Sequence, residues 1–137
     1  MIVLMPITVQ NWESATELEL EDYQRDFLRS NAWSIAEASF HPELKPMGIY
    51  RGGTMVGFLM YGKSYRSERT WLYRLMIDKK YQGQGLGKQA MESLIRRMRD
   101  ELDLAVVWIE HAVTTLLRHV ERVIVLHQGR KIADGPP

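Results

Sequence analysis

A chain of 137 residues, 45% hydrophobic and 26% charged, is long enough for one compact domain and has the make-up of a soluble globular protein. It holds no cysteine, which excludes disulfides, thiolate metal sites and a cysteine nucleophile and suits a reducing, cytoplasmic setting. No run of eighteen apolar residues occurs, so no membrane span is expected, and the formal net charge is only +1.

That small net charge is unevenly spread. Residues 1–50 carry eight acids against three bases, a net of −5, so the remainder of the chain carries +6. One molecule can therefore offer an acidic face to a cation and a basic face to an anion, although solvated helix faces explain such a pattern equally.

In chain order, residues 2–9 read as a strand: the apolar start "MIVLMPITV" is short and lacks a basic leader or a small-residue cleavage site. Asn11 is placed to cap a helix over 12–20. "LEDYQRDFLRSN" continues helical, with Tyr23, Phe27 and Leu28 at helical spacing, and "SIAEASF" is a further helical piece starting at Ser34. "PMGIY-RGG-TMVGFLMYG" predicts a hairpin around Arg51, Gly52 and Gly53. "TWLYRLMID" predicts a strand, and over 84–102 Leu86, Ala90, Met91, Leu94, Ile95, Met98 and Leu102 share one helical face. "LAVVWIE" predicts a strand, "HAVTTLLRHVE" a helix, and "RVIVL-HQG-RKIADG" a second hairpin. The expected fold class is α/β (α+β), six or seven strands in a mixed, mostly antiparallel sheet flanked by helices.

The stretch "YQGQGLGK", residues 81–88, follows a strand and opens a helix. Such a turn makes an anion site: the first helical N–H groups have no internal partners, and glycine lets the backbone approach a phosphate. It is not a Walker A loop, because Gly83 to Gly87 is one residue short and Gln89 stands where a magnesium-binding hydroxyl belongs. Nor is it the G-x-G-x-x-G dinucleotide fingerprint, since the spacing is G-x-G-x-G.

What fits is Gln82-x-x-Gly85-x-Gly87 after a strand, which resembles the acetyl-CoA pyrophosphate loop of the GNAT superfamily of N-acetyltransferases. The phrase "YRLMIDKKYQGQGLGKQAMESLI", with "NWESATEL", "SNAWSIAEA" and "VGFLMYG" upstream in the same order, resembles the spermine/spermidine branch over about residues 5–103. The resemblance implies acetyl-CoA as cosubstrate, with the N–H groups of Gln82, Gly83, Gln84, Gly85, Leu86, Gly87 and Lys88 around the pyrophosphate. It also implies that Leu75, Met76 and Ile77 pair by their backbone with the pantetheine arm. A backbone N–H on that strand would polarise the thioester carbonyl, and the amine would attack directly.

The acceptor implied is a small-molecule primary amine. A polyamine nitrogen with a pKa near that of lysine, about 10, arrives protonated. The site must bind a cation and remove a proton. Glu37, Glu13 and Asp78 are the carboxylate candidates, and Trp33, Tyr73 and Tyr61 are available for cation–π contact. Each has a plainer rival role: Glu13 on a helix surface, Trp33 in a core, Asp78 ending its strand, and Arg74 pairing with one of the acids. No metal spacing is present, and no nucleic acid or membrane partner is expected. GNAT domains often pair, so a homodimer is an open expectation.

The last third departs from this family. Its usual general-acid tyrosine has no counterpart, since all six tyrosines lie at or before Tyr81. "VVWIEHAVTTLLRHVERVIVLHQGRKIADGPP" instead resembles the switch-histidine region of branched-chain amino-acid ABC transporter ATPase subunits, with His111 as the switch residue. No Walker A, signature loop or Walker B strand accompanies it. The sequence therefore reads as a fusion joined near 103–105, with residues 105–137 completing a single GNAT-like domain begun by 1–104. In that arrangement Glu110 and His111 end a new strand where amine and thioester meet, and Glu110 joins Glu37 and Tyr73 as a catalytic candidate. The alternative is an acetyl-CoA-binding fusion protein impaired in catalysis.

Overall fold

The computed structural model describes residues 1–64, 66–107, 117–118 and 120–137. The chain divides into two compact units, Met1–Arg96 and Arg97–Pro137.

The first unit is built on a four-stranded sheet in the order β1 (Ile2–Pro6), β2 (Leu44–Arg51), β3 (Thr54–Lys63), β4 (Thr70–Ile77). Every pairing in it is antiparallel. The β2–β3 hairpin turns at Gly52 and Gly53, with φ of 55° and 82°, as two consecutive left-handed residues in a tight hairpin require. All of β3 between its end residues is buried, which explains why "MVGFLMYG" is a continuous apolar run with no alternation. Phe58 and Met60 point into a cluster with Ala15 and Met76. Leu59 and Ile49 are also fully buried, and Leu59 is one residue out of step with Phe58 and Met60, so it serves the opposite face.

Three helices cover this sheet. The first, α1 (Trp12–Thr16), is shorter than the stretch 12–20 expected. Asn11 does not cap it: its Oδ1 accepts from the Thr8 N–H at 2.7 Å, and its Nδ2 donates to the Pro6 carbonyl and the Tyr50 hydroxyl. The side chain thereby braces the turn after β1. A 3₁₀ turn over Asp22–Phe27 stands where the helix was expected to continue, leaving Tyr23 and Phe27 exposed.

The second helix, α2 (Asn31–Phe40), begins earlier than expected because Ser30 caps it, Oγ accepting from the Trp33 N–H at 3.1 Å. Ser34, expected to start it, is fully buried and donates to the Ser30 carbonyl. The third helix, α3 (Leu86–Arg96), packs on β1 and β4 and buries Leu86, Ala90 and Leu94 at helical spacing.

In the second unit a π-helical turn spans Arg97–Glu101. Residues 104–107 carry no strand, and 108–110, the rest of the strand expected there, lie outside the described residues. So does most of the helix expected over 112–121. The second hairpin is present as β5 (Val123–His127) and β6 (Arg130–Gly135), a two-stranded antiparallel sheet of its own. On β6 Asp134 accepts from Nε of Arg122, the residue before β5, at 2.7 Å, and from Nζ of Lys131 on its own strand at 3.0 Å.

Candidate functional site

The end of β4, the glycine loop and the first turn of α3 line a cleft of about 520 Å³ in the first unit. Of the ten residues expected to hold the cosubstrate, eight line it: Leu75, Met76, Ile77, Gln82, Gly83, Gly85, Leu86 and Gly87. Gln84 and Lys88 do not. The facing wall comes from Leu20, Gln24, Phe27 and Leu28, with Tyr81 at the loop.

The strand ends where it does because Asp78 caps the short turn after it. Its carboxylate is buried, 3% exposed, and Oδ1 accepts from the Lys80 N–H at 2.8 Å. Oδ2 accepts from the Glu19 N–H at 2.9 Å, and the Lys79 N–H donates to the Glu19 carbonyl at 2.7 Å. These bonds pin the strand end to the segment before the 3₁₀ turn. Glu19 and Lys79 also pair by their side chains, which lowers the Glu19 carboxyl below its ordinary value and raises the Lys79 ammonium above its own.

Beyond Asp78 the backbone turns through Gly83 and Gly85, at φ of 74° and 72°. That is left-handed conformation, which costs a residue with a Cβ about 1–2 kcal/mol. The first α3 bond runs from the Gln89 N–H to the Gly85 carbonyl at 3.1 Å. The N–H groups of Leu86, Gly87 and Lys88 therefore have no carbonyl one turn earlier, and the helix dipole adds partial positive charge there. This is chemistry for a phosphate. Among the described residues β4 is the last strand of its sheet, so one edge of its backbone is open to pair with an extended ligand.

The amine-side candidates are spread more widely, and none of those among the described residues lines the cleft. Glu37 on α2 lies 3.8 Å from the Nη2 of Arg74 on β4. Glu37 Oε2 and Arg74 Nε are buried with no hydrogen-bond partner. A register shift sets Arg74 opposite Met60 and Leu72 opposite Tyr61, so Tyr73 is the extra residue of a β-bulge. Its carbonyl accepts from Arg74 Nη1 at 2.9 Å, and its ring packs against the core cluster with Met76. Tyr61 is buried in the core.

Trp33 is neither core nor an open aromatic face. It is 53% exposed and covered by the Arg29 guanidinium, 4.7 Å from the ring centroid. Glu13 is exposed on α1. Asp78 accepts from backbone N–H groups with both oxygens, the strand-ending role weighed beside its substrate role. Glu110 and His111 lie outside the described residues. Among the described residues no acidic or histidine cluster could hold a metal, and no helix is long and apolar enough to cross a membrane.

Sequence reasoning missed the facing wall. Leu20, Gln24, Phe27 and Leu28 do fall at helical spacing, and a polar Gln24 within that apolar stripe was the signal that it faces something other than core.

The acetyltransferase (GNAT) family profile matches residues 12–124. The spermine/spermidine N(1)-acetyltransferase of Bacillus subtilis is 31% identical over 105 residues, 72% of this chain and 69% of that protein. The solved spermidine N-acetyltransferase SpeG K23-Q34 chimera from Vibrio cholerae and hSSAT superposes with a TM-score of 0.61 over 97% of this chain and 90% of that one, at 13% identity. Other matched structures were solved with coenzyme A bound. At a different segment, the molybdenum import ATP-binding protein ModC of Bordetella pertussis is 33% identical over 49 residues, 36% of this chain and 13% of that protein.

Proposed function

The chain belongs to the acetyltransferase (GNAT) family, whose cosubstrate is acetyl-CoA, and we propose that it transfers the acetyl group directly to a primary amine of a polyamine. The observation that carries this reading is the Glu37 carboxylate. It stands beside Arg74, the residue before the cleft-lining run of β4, with a buried oxygen that no hydrogen bond satisfies. A buried carboxylate oxygen without a donor is costly, and an ammonium group supplies one. The similarity to a spermine/spermidine acetyltransferase supports the same class of acceptor.

In this reading the thioester carbonyl lies along the open edge of β4 and a backbone N–H there stabilises the developing oxyanion. The amine loses its proton to Glu37, directly or through water, and its lone pair attacks the carbonyl carbon. The C–S bond then breaks, CoA departs as thiolate, and the nitrogen of the new amide gives up its second proton to that thiolate. No tyrosine follows Tyr81. A thiol pKa near about 8.5 lets the thiolate leave with little general-acid help, so turnover persists at reduced rate. The second reading, favoured by that missing tyrosine, is a chain that binds acetyl-CoA without turnover.

The partial similarity to ATP-binding proteins, over 49 residues, supports a segment of related origin in this chain. It brings no Walker A loop with it, so ATP has no cradle. The test is thermal unfolding alone, with acetyl-CoA and with ATP, followed by acceptor-dependent thiol release with spermine. A ligand at 100 times its dissociation constant adds about 2.7 kcal/mol of stability. The reading expects a rise with acetyl-CoA, none with ATP, and thiol release that depends on spermine. In Glu37→Gln kcat is expected to fall about 10²-fold or more with loss of the base, and the KM for spermine to rise about tenfold, the equivalent of about 1.4 kcal/mol. A rise with acetyl-CoA but no thiol release establishes the second reading.

A further inference from the structure

The glycine loop accounts for phosphate binding by backbone alone. One side chain beside it has no role in that account. Arg51 is the last residue of β2, at the hairpin turn, and it reaches the loop from outside. Its Nη1 donates to Gln84 Oε1 at 2.7 Å. Its guanidinium carbon stands 5.7 Å from the centroid of the Tyr81 ring, within cation–π range. Tyr81 lines the cleft. A hydrogen bond on one side and a ring on the other thus fix a permanent positive charge at the rim of the anion site.

Among the described residues that charge has no carboxylate partner: none lies within ion-pair distance of Arg51, and its remaining N–H groups meet no acceptor. The contrast with Lys79 is direct, since that cation is neutralised by Glu19. A guanidinium held in position with free donors suits a phosphate, which accepts two parallel bonds from its fork. The contact to Gln84 also explains why that side chain, alone among the residues from Gln82 to Gly87, is absent from the cleft wall.

We propose that Arg51 is a phosphate-binding residue for acetyl-CoA, adding a fixed side-chain charge to the backbone donors of the glycine loop. The hairpin turn thereby contributes to cosubstrate affinity, and Gln84 positions the guanidinium. Two phosphate groups of CoA offer the same chemistry, the pyrophosphate and the 3′-phosphate, and they are separable with 3′-dephospho-CoA.

The experiment is calorimetric titration of the full chain with CoA and with 3′-dephospho-CoA, for the parent protein, Arg51→Gln, Arg51→Lys, and Arg130→Gln on the second hairpin as a charge control. The dissociation constant for CoA is expected to rise about tenfold in Arg51→Gln, less in Arg51→Lys, and not in Arg130→Gln. An equal rise for both ligands places Arg51 on the pyrophosphate, and a rise for CoA alone places it on the 3′-phosphate. Unchanged affinity for both in Arg51→Gln, with an unchanged unfolding temperature, overturns the proposal. A parent protein that binds neither ligand overturns the cosubstrate site itself, a result separable from loss confined to the Arg51 variants.

Discussion

The side-chain amide of Gln82 donates to Oε1 of Gln24, 58 residues earlier, at 2.8 Å, and to the carbonyl of Ile77 at 2.9 Å. One amide thus joins the end of β4, the glycine loop and the facing wall of the cleft. Gln24 Oε1 also accepts from the Glu21 N–H, so the 3₁₀ turn is fixed by the same oxygen. Gln82→Ala removes both donated bonds. At about 0.5–1.5 kcal/mol each, stability is expected to fall by roughly 1–3 kcal/mol. Acetyl-CoA affinity is expected to fall with it, because the cleft loses its cross-tie. Denaturant unfolding and titration with CoA measure the two effects separately.

Gly85 and Gly87 are glycines for different reasons. Gly85 sits at φ of 72° with nothing within 4 Å of where a Cβ would stand, so its requirement is conformational. Gly85→Ala is expected to cost about 1–2 kcal/mol of stability. Gly87 is helical, and its added Cβ would meet only Ile77 Cγ1 at 3.8 Å, an ordinary contact. Gly87→Ala is expected to raise stability by roughly 0.5–1 kcal/mol while weakening CoA binding, because the methyl group enters the space a phosphate needs. Paired unfolding and binding measurements read the opposite signs.

Asp78 is expected to affect folding and not amine recognition. Asp78→Ala leaves the Lys80 and Glu19 N–H groups without their acceptor. A lost cap and an unsatisfied donor together cost roughly 2–3 kcal/mol. The KM for spermine in the surviving folded fraction is expected to match the parent. A spermine-specific rise in KM would return Asp78 to the substrate site.

Asp134 sets an acid limit on the second hairpin. The hydrogen bond from Arg122, and after it that from Lys131, lowers its carboxyl from 3.8 to about 2. The folded value is depressed, so the stabilisation is fully present above pH 3.8 and is lost as pH falls through about 2. Carboxyl chemical shifts are expected to titrate with a midpoint near that value. Asp134→Asn is expected to unfold more easily than the parent at neutral pH and to match it below pH 2. A midpoint at the ordinary value would show that the Arg122 pair does not form.

The two hairpins, the β4 strand and the glycine loop were legible in the sequence because each depends on local signals. Paired glycines turn the first hairpin, a continuous apolar run marks β3 as buried on both faces, and Q-x-x-G-x-G after a strand marks an anion loop. The family followed from the same residues. Helix boundaries were less legible. Asn11 and Ser34 are both cap-type residues, but Asn11 turns back to Thr8, and Ser30 takes the cap four residues before Ser34. A cap is chosen by the backbone path, which composition does not contain.

What the sequence determined by itself is the chemistry available: a phosphate loop, an excess of acids before residue 50, no thiol, and no tyrosine after Tyr81. Only the tertiary structure decided which of those groups meet. It bonded Asp78 to the Glu19 backbone 59 residues earlier, covered Trp33 with Arg29, set Glu37 against Arg74, and brought Arg51 to a loop 33 residues away. The physical reason is that these relationships are made by strand pairing and helix docking between distant segments. Spacing along the chain records the period of one element, and it carries no record of which other element that face will touch.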